Sequence, residues 1–152
     1  MKSSANSASS PNKEPSNGGK EPAIEIEARV RYSETDQMGV AHNKSYFEWF
    51  EIGRTEYCRQ KKFPYKDIEQ SGFFLVVAEA FCRYKKPLRY DDIILIRVVL
   101  EEITPKKAVF SYEILTKEDR TPAASGYTVH VVINAKGEVC ALPAEILEKI
   151  RA

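Results

Sequence analysis

The chain has 152 residues, 43% hydrophobic and 30% charged, an ordinary soluble mixture long enough for one domain with its own core. A net charge of +1 gives no general pull toward nucleic acid or acidic membranes, and no apolar run approaches the roughly 20 residues that span a bilayer. The cysteines, Cys58, Cys82 and Cys140, are odd in number and far apart, so no disulfide framework or C-x-x-C metal site is expected, and a reducing, cytoplasmic setting is.

Residues 1–22 are rich in Ser, Asn, Pro, Gly and Lys, with almost nothing to bury. They read as a disordered tail, and the folded domain is expected over 23–152. The tail has no apolar h-region, so it is not a secretory signal. It contains no Arg but does contain Glu14 and Glu21, which argues against a transit peptide.

Ala23–Tyr32 alternates, with Ile24, Ile26, Ala28 and Val30 on one face, and predicts a half-buried strand. A compact loop follows, Glu34-Thr35-Asp36-Gln37-Met38-Gly39-Val40-Ala41-His42-Asn43, in which Gly39 permits a turn. A helix then begins at about Asn43 or Ser45. Asn43 is a good cap, and Ser45-Tyr46-Phe47-Glu48 fits the S-x-x-E capping box. Tyr46, Phe50, Gly53 and Tyr57 fall on one helical line, while Lys44, Glu48, Glu51, Thr55 and Arg59 fall opposite. Gly53 costs about 1 kcal/mol against Ala in a helix interior, so its place among aromatics predicts close approach to a sheet.

A short helix is expected over Tyr65–Gln70, between Pro64 and Gly72. Phe73–Lys86 predicts a long strand, with Phe74, Val76, Ala78, Ala80, Cys82 and Tyr84 on one face, ended by Pro87. Further strands are expected over Ile93–Glu102, Ala108–Thr116 and Ala123–Asn134, and a terminal helix over Ala144–Arg151. Strand, long helix and then four strands argues α+β with an antiparallel sheet.

The loop before the long helix carries the chemistry. A carboxylate, Asp36, lies a few residues from the free N–H groups of a helix start, which can hold a developing oxyanion. The plainer reading of Asp36 is a turn former. His42 could orient Asp36, line a pocket, or be a hydrogen-bonded loop histidine. His130, inside a strand, reads as structural, and Glu51 with Arg54 as a surface pair on the helix.

The run Tyr32-Ser33-Glu34-Thr35-Asp36-Gln37-Met38-Gly39-Val40, followed by Asn43, Tyr46, Trp49-Phe50-Glu51 and Arg54, resembles the signature of the 4-hydroxybenzoyl-CoA-thioesterase-like family. It is most similar to the branch of small acyl-CoA thioesterases that includes the Tol–Pal-associated enzymes. A second block, Arg83-Tyr84-Lys85-Lys86-Pro87-Leu88-Arg89-Tyr90-Asp91-Asp92, is similar to that family's strand-and-turn pattern. The resemblance implies the hotdog fold, a five-stranded antiparallel sheet wrapped around a long central helix, assembled as a homodimer or homotetramer. It implies hydrolysis of a short-chain or aromatic acyl-CoA, with no cofactor or metal. Asp36 would be nucleophile or general base, and Gly39, Val40 and Ala41 would present the oxyanion N–H groups. Many relatives carry His at the position of Asn43, so Asn43 would cap the helix or position water rather than transfer a proton. The aromatic residues Tyr46, Phe47 and Trp49 near the loop could line an aromatic or short aliphatic pocket, and the resemblance implies that Lys106 and Lys107 would meet the phosphates of coenzyme A. The alternative is a catalytically silent hotdog dimer binding acyl-CoA or a protein. A hotdog dehydratase, which pairs His with an acid, is disfavoured by a loop led by Asp.

Overall fold

The computed structural model describes residues 23–151. The disordered tail expected at 1–22 lies outside the described residues. The elements are β1 (Ile24–Arg29), α1 (Asn43–Gln60), α2 (Tyr65–Gln70), β2 (Phe73–Tyr84), β3 (Ile93–Ile103), β4 (Lys107–Thr116), β5 (Pro122–Asn134) and α3 (Ala144–Arg151). The strands form one antiparallel sheet in the order β1-β3-β4-β5-β2, and α1 packs along its inner face. This is the α+β hotdog arrangement.

The aromatic line of α1 explains the packing. Tyr46, Phe50, Gly53 and Tyr57 are all buried, while Lys44, Glu48, Glu51, Thr55 and Arg59 face water. Ile94, Ile96 and Val98 of β3 and Phe110, Tyr112 and Ile114 of β4 meet that line from the sheet. Phe50 stacks on Tyr112 at 4.3 Å, and Tyr57 meets Phe110 edge to face at 5.7 Å. Gly53 is the point of closest approach. A Cβ built there would lie 2.6 Å from Val98 Cγ2 and 2.7 Å from Ile96 Cγ2. A second, smaller core joins Ile68 of α2, Val132, Leu142 and Ile146 of α3.

Two local expectations are corrected. The helix starts at Asn43 with His42 at the cap position, and no side chain caps it. Ser45 forms no capping box, because its hydroxyl donates instead to the Glu34 carbonyl at 3.0 Å. The uniform face expected on Phe73–Lys86 is broken by a bulge between Val77 and Glu79. One extra residue reverses the alternation. Before it Leu75 packs inward and Phe74 is exposed; after it Cys82 packs inward and Phe81 is exposed.

Candidate active site

After β1, Tyr32–Glu34 makes one 3-10 turn and the chain enters a tight hairpin. Asp36 N donates to the Val40 carbonyl, and Gly39 N donates to the Asp36 carbonyl, both at 2.9 Å. Gly39 has φ +80°, the left-handed residue that closes a three-residue hairpin loop of this kind. No atom lies within 4 Å of where its Cβ would be, so glycine is required here by backbone angle and not by space. Short bridges tie the loop down: Thr35 to Ala41, and Val40 to Arg89.

The Asp36 carboxylate is exposed, and one oxygen is held by its own loop. Oδ1 accepts the N–H of Met38 at 2.8 Å and that of Val40 at 3.3 Å. No bond to Oδ2 is found among the described residues.

The N–H groups of the loop are largely committed. Gly39 donates to Asp36 O, Val40 to Asp36 Oδ1, Ala41 to Leu88 O at 2.8 Å and His42 to Glu34 O at 2.9 Å. The expectation that Gly39, Val40 and Ala41 present free donors is therefore shifted along the chain. Besides Gln37 at the hairpin tip, the first two helical residues, Asn43 and Lys44, have N–H groups that lack a partner among the described residues. That is the ordinary condition of a helix start, where the first N–H groups have no carbonyl behind them.

Beside this helix start is a cavity of about 360 Å³ lined by Val40, Ala41, Asn43, Tyr46, Tyr84 and the Lys85-Lys86-Pro87 run. Tyr84, at the end of β2, donates to the Asn43 carbonyl at 3.4 Å and meets Tyr46 edge to face at 4.9 Å. Burial pushes the Tyr46 phenol up to about 12, so it stays protonated. A larger hollow of about 600 Å³ lies over the outer face of α1, between Arg31, Glu48, Glu51 and Arg59. It does not reach the helix start; the smaller cavity takes in Asn43 there, with Val40 and Ala41 of the Asp36 hairpin, though not Asp36 itself, and is the candidate site.

The other expected residues divide. Tyr46 and Asn43 line the cavity, and half-buried His42 occupies the N-cap position beside it, without a capping bond from its side chain. Trp49 does not line it: at 1% exposure it sits in the core, its indole donating to Glu34 Oε2 at 3.2 Å. Lys106 and Lys107 are remote within one protomer. Tyr84 pairs with Ala124, which pairs with Ile114, and Lys107 lies seven residues up β4 from there. At about 3.3 Å per residue that is about 23 Å. Lys107 Nζ lies 3.8 Å from Glu102.

His130 is buried in a polar chain beneath α1. Arg54 Nη1 donates to the Tyr112 hydroxyl at 3.1 Å, Tyr112 meets Thr128 Oγ1 at 2.6 Å, and Thr128 meets His130 Nε2 at 2.9 Å. Arg54 thus bonds inward to Tyr112, not across to Glu51. Burial, helped by the Arg54 charge, holds the His130 imidazole down at about 4. The cysteine thiols of Cys58 and Cys82 are pushed up to about 11 by burial and stay protonated, which disfavours either as a nucleophile. Among the described residues no cluster of His, Cys, Asp and Glu could hold a metal, and no helix is long and apolar enough to cross a membrane.

Sequence reasoning missed four contributors. Tyr84 sits where β2 ends, and Pro87 just beyond it was the available signal. Lys85 and Lys86 stand inside the second motif block, with no phosphate role expected of them. Glu34 stood inside the motif, but nothing local marks it as buried.

The Thioesterase-like superfamily matches this chain over residues 30–150. A 1,4-dihydroxy-2-naphthoyl-CoA hydrolase of Synechococcus is 30% identical over 129 residues, covering 80% of this chain and 85% of that one. Among solved structures, a hypothetical protein of Aquifex aeolicus superposes with a TM-score of 0.73 at 35% identity, covering 84% of this chain and 98% of its own. A DHNA-CoA thioesterase of Staphylococcus aureus superposes with a TM-score of 0.76 at 28% identity, covering 86% and 92%.

Proposed function

This chain belongs to the Thioesterase-like superfamily, and on that premise we propose that it hydrolyses acyl-CoA to a free carboxylic acid and CoA. One juxtaposition carries the proposal. A carboxylate fixed by its own loop stands a few residues before a helix start with two unpartnered N–H groups, and the Val40–Asn43 stretch that joins them lines a cavity flanked by lysines.

The thioester carbonyl would lie against the Asn43 N–H, where the partial positive charge of the helix start favours a developing oxyanion. One such donor is worth about 3–4 kcal/mol of barrier in known oxyanion holes. Asp36 supplies the other half through the oxygen not held by the loop. It either attacks the carbonyl carbon, forming an anhydride that water then opens, or takes a proton from the attacking water. On either route the C–S bond breaks, the CoA thiolate leaves and is protonated, and one water is consumed to give the free acid and restore Asp36. Asn43 has no proton to exchange at neutral pH, so its amide positions water or the acyl group, and His42 orients the loop from the cap.

Tyr46 and Tyr84 present ring surface to the cavity, which suits a short-chain or aromatic acyl group. The relatives named for a naphthoyl thioester point the same way. The nucleotide end would meet Lys85 and Lys86, compact point charges suited to phosphate.

Assembly brings back the distant lysines. β2 is an edge strand with Phe74, Val76, Val77 and Phe81 exposed, and an apolar edge of this length calls for a cover. A second copy paired along it in a two-fold homodimer, alone or within a homotetramer, runs antiparallel. The Phe73 end of one β2 then lies beside the Tyr84 end of the other. Because Val76 and Lys107 both pair with Val131, that arrangement carries the second copy's Lys106 and Lys107 toward this site. The free thiols of Cys58, Cys82 and Cys140 fit a cytoplasmic setting.

The test is release of free thiol from short-chain, long-chain and aromatic acyl-CoAs, followed with a thiol-reactive dye. Turnover with one class and loss of it in Asp36→Asn supports the proposal. No release from any acyl-CoA would leave a binding dimer as the better reading.

A further inference from the structure

We propose that Glu34 is the positioning residue of this site, setting the Asp36 carboxylate at its working distance from the Asn43 N–H without touching substrate. The inference rests on the assignment of Asp36 as the reacting carboxylate.

Glu34 is a charged residue with 4% of its surface exposed, two residues before Asp36. Five donors converge on it. Oε1 accepts the Arg31 N–H at 2.7 Å, and Oε2 accepts Arg31 Nη2 at 3.1 Å and the Trp49 indole at 3.2 Å. Its carbonyl accepts the His42 N–H at 2.9 Å and the Ser45 hydroxyl at 3.0 Å. These donors come from three places: the exit of β1, the cap and first turn of α1, and the second turn of α1. The Asp36 hairpin is the excursion between them. One residue therefore ties both ends of the hairpin to the helix, and the Asn43 N–H follows directly on the His42 that it holds.

The carboxylate form is what calls for explanation. A buried carboxylate carries a large desolvation cost, and its one cationic partner among the described residues, Arg31, leaves 69% of its side chain in water. An amide or an apolar side chain would fill the space more cheaply if packing were the only need. What a carboxylate offers is charge-assisted bonds, shorter and roughly twice as strong as neutral ones, from two directions at once. Stiffness of that kind has little use in a plain turn. It has direct use where a reacting group must be held against an oxyanion donor, since a displacement of about 1 Å can cost about 10²-fold in rate.

Glu34→Gln keeps the shape and one acceptor oxygen, but places an N–H₂ group against either Arg31 or Trp49. Two readouts separate positioning from mere stability. The first is the split between kcat and KM. Misplacement of Asp36 should lower kcat about tenfold to a hundredfold, with KM within about threefold, since no atom of Glu34 lines the cavity. The second needs no substrate. Trp49 is the single tryptophan, so its indole N–H gives one resonance. That resonance should shift in Glu34→Gln, and the His42 and Val40 amides should exchange faster, while amides in the middle of β4 do not change. If Glu34→Gln fails to fold, Trp49→Phe, which leaves the carboxylate and the Arg31 bonds in place, should still lower kcat several-fold. Unchanged kcat in either folded variant overturns the proposal, as does unchanged exchange at His42 and Val40. The two readings fail differently. Full activity in Asp36→Asn removes the assignment of the reacting carboxylate, and the exchange measurement alone then decides the role of Glu34. An inactive Asp36→Asn beside a fully active Glu34→Gln removes only the positioning role.

Discussion

Acid should weaken this fold through His130, and the hydrogen-bond chain says by how much. Arg54 can only donate, so the Tyr112 hydroxyl accepts from it and donates to Thr128, which in turn donates to Nε2 of a neutral His130. A proton placed on Nε2 removes the last acceptor. Thr128 would have to turn round and donate back to Tyr112, leaving the phenol with no acceptor. The imidazolium would also lie buried near the Arg54 charge. Folded His130 therefore titrates at about 4 against 6.5 for an unfolded one. The unfolded chain binds the proton first, so stability is complete above pH 6.5, falls as pH drops, and has lost the whole contribution below about 4. At about 1.36 kcal/mol per pH unit the loss is about 3 kcal/mol, a large share of a domain's total. His130→Gln keeps an acceptor for Thr128 and does not titrate. Urea unfolding at fixed protein concentration, repeated from pH 7.5 to 4, should show the parent losing about 3 kcal/mol more than the variant. Carboxylates titrate alike in both and cancel. Parallel stability profiles would mean that His130 takes up its proton as easily folded as unfolded, and the chain of donors would be wrongly ordered.

Gly53→Ala gains about 1 kcal/mol of helix propensity but drives a methyl into Val98 and Ile96, whose β-branched chains turn with difficulty. Overpacking of about 1–3 kcal/mol should win, so the melting temperature should fall; a rise would show that α1 can lift off the sheet. Light scattering at micromolar concentration should give at least a dimer mass, and Phe81→Glu on the exposed edge should lower it; a monomeric parent would leave β2 uncovered. Lys106→Ala with Lys107→Ala should raise KM for acyl-CoA several-fold and leave kcat alone, the effect shrinking with salt as screening grows. An unchanged KM at low salt would assign the phosphates to Lys85 and Lys86 by themselves.

Much of the fold is legible because its signals are local and periodic. Pro64 and Gly72 bracket α2, the aromatic line of α1 fixes its buried face, and Gly53 among rings foretells contact with β3. The errors share one cause, which is that they depend on partners distant in sequence. Ser45 looks like a cap until the Glu34 carbonyl, eleven residues back, takes its hydroxyl. Trp49 looks available to a pocket until the buried Glu34 carboxylate takes its indole. The bulge after Val77 leaves no mark in an apolar run, yet it decides which residues of β2 meet the core. In the site, Asp36 and Gly39 stand out by residue type alone. The donors could not be assigned that way, because the commitments of Ala41 to Leu88 and of His42 to Glu34 exist only once the loop closes.

The most direct test of the account is thiol release by Asp36→Asn beside the parent, on whichever acyl-CoA the parent turns over fastest. Asn can still accept the Met38 N–H, so the hairpin should close and the circular dichroism and melting temperature should match the parent. The charge and the basic oxygen are gone, so kcat should fall by about 10²-fold or more, with KM little changed. A folded Asp36→Asn that keeps its activity within a few-fold would contradict the account, and Asp36 would be a turn residue of a site whose chemistry lies elsewhere.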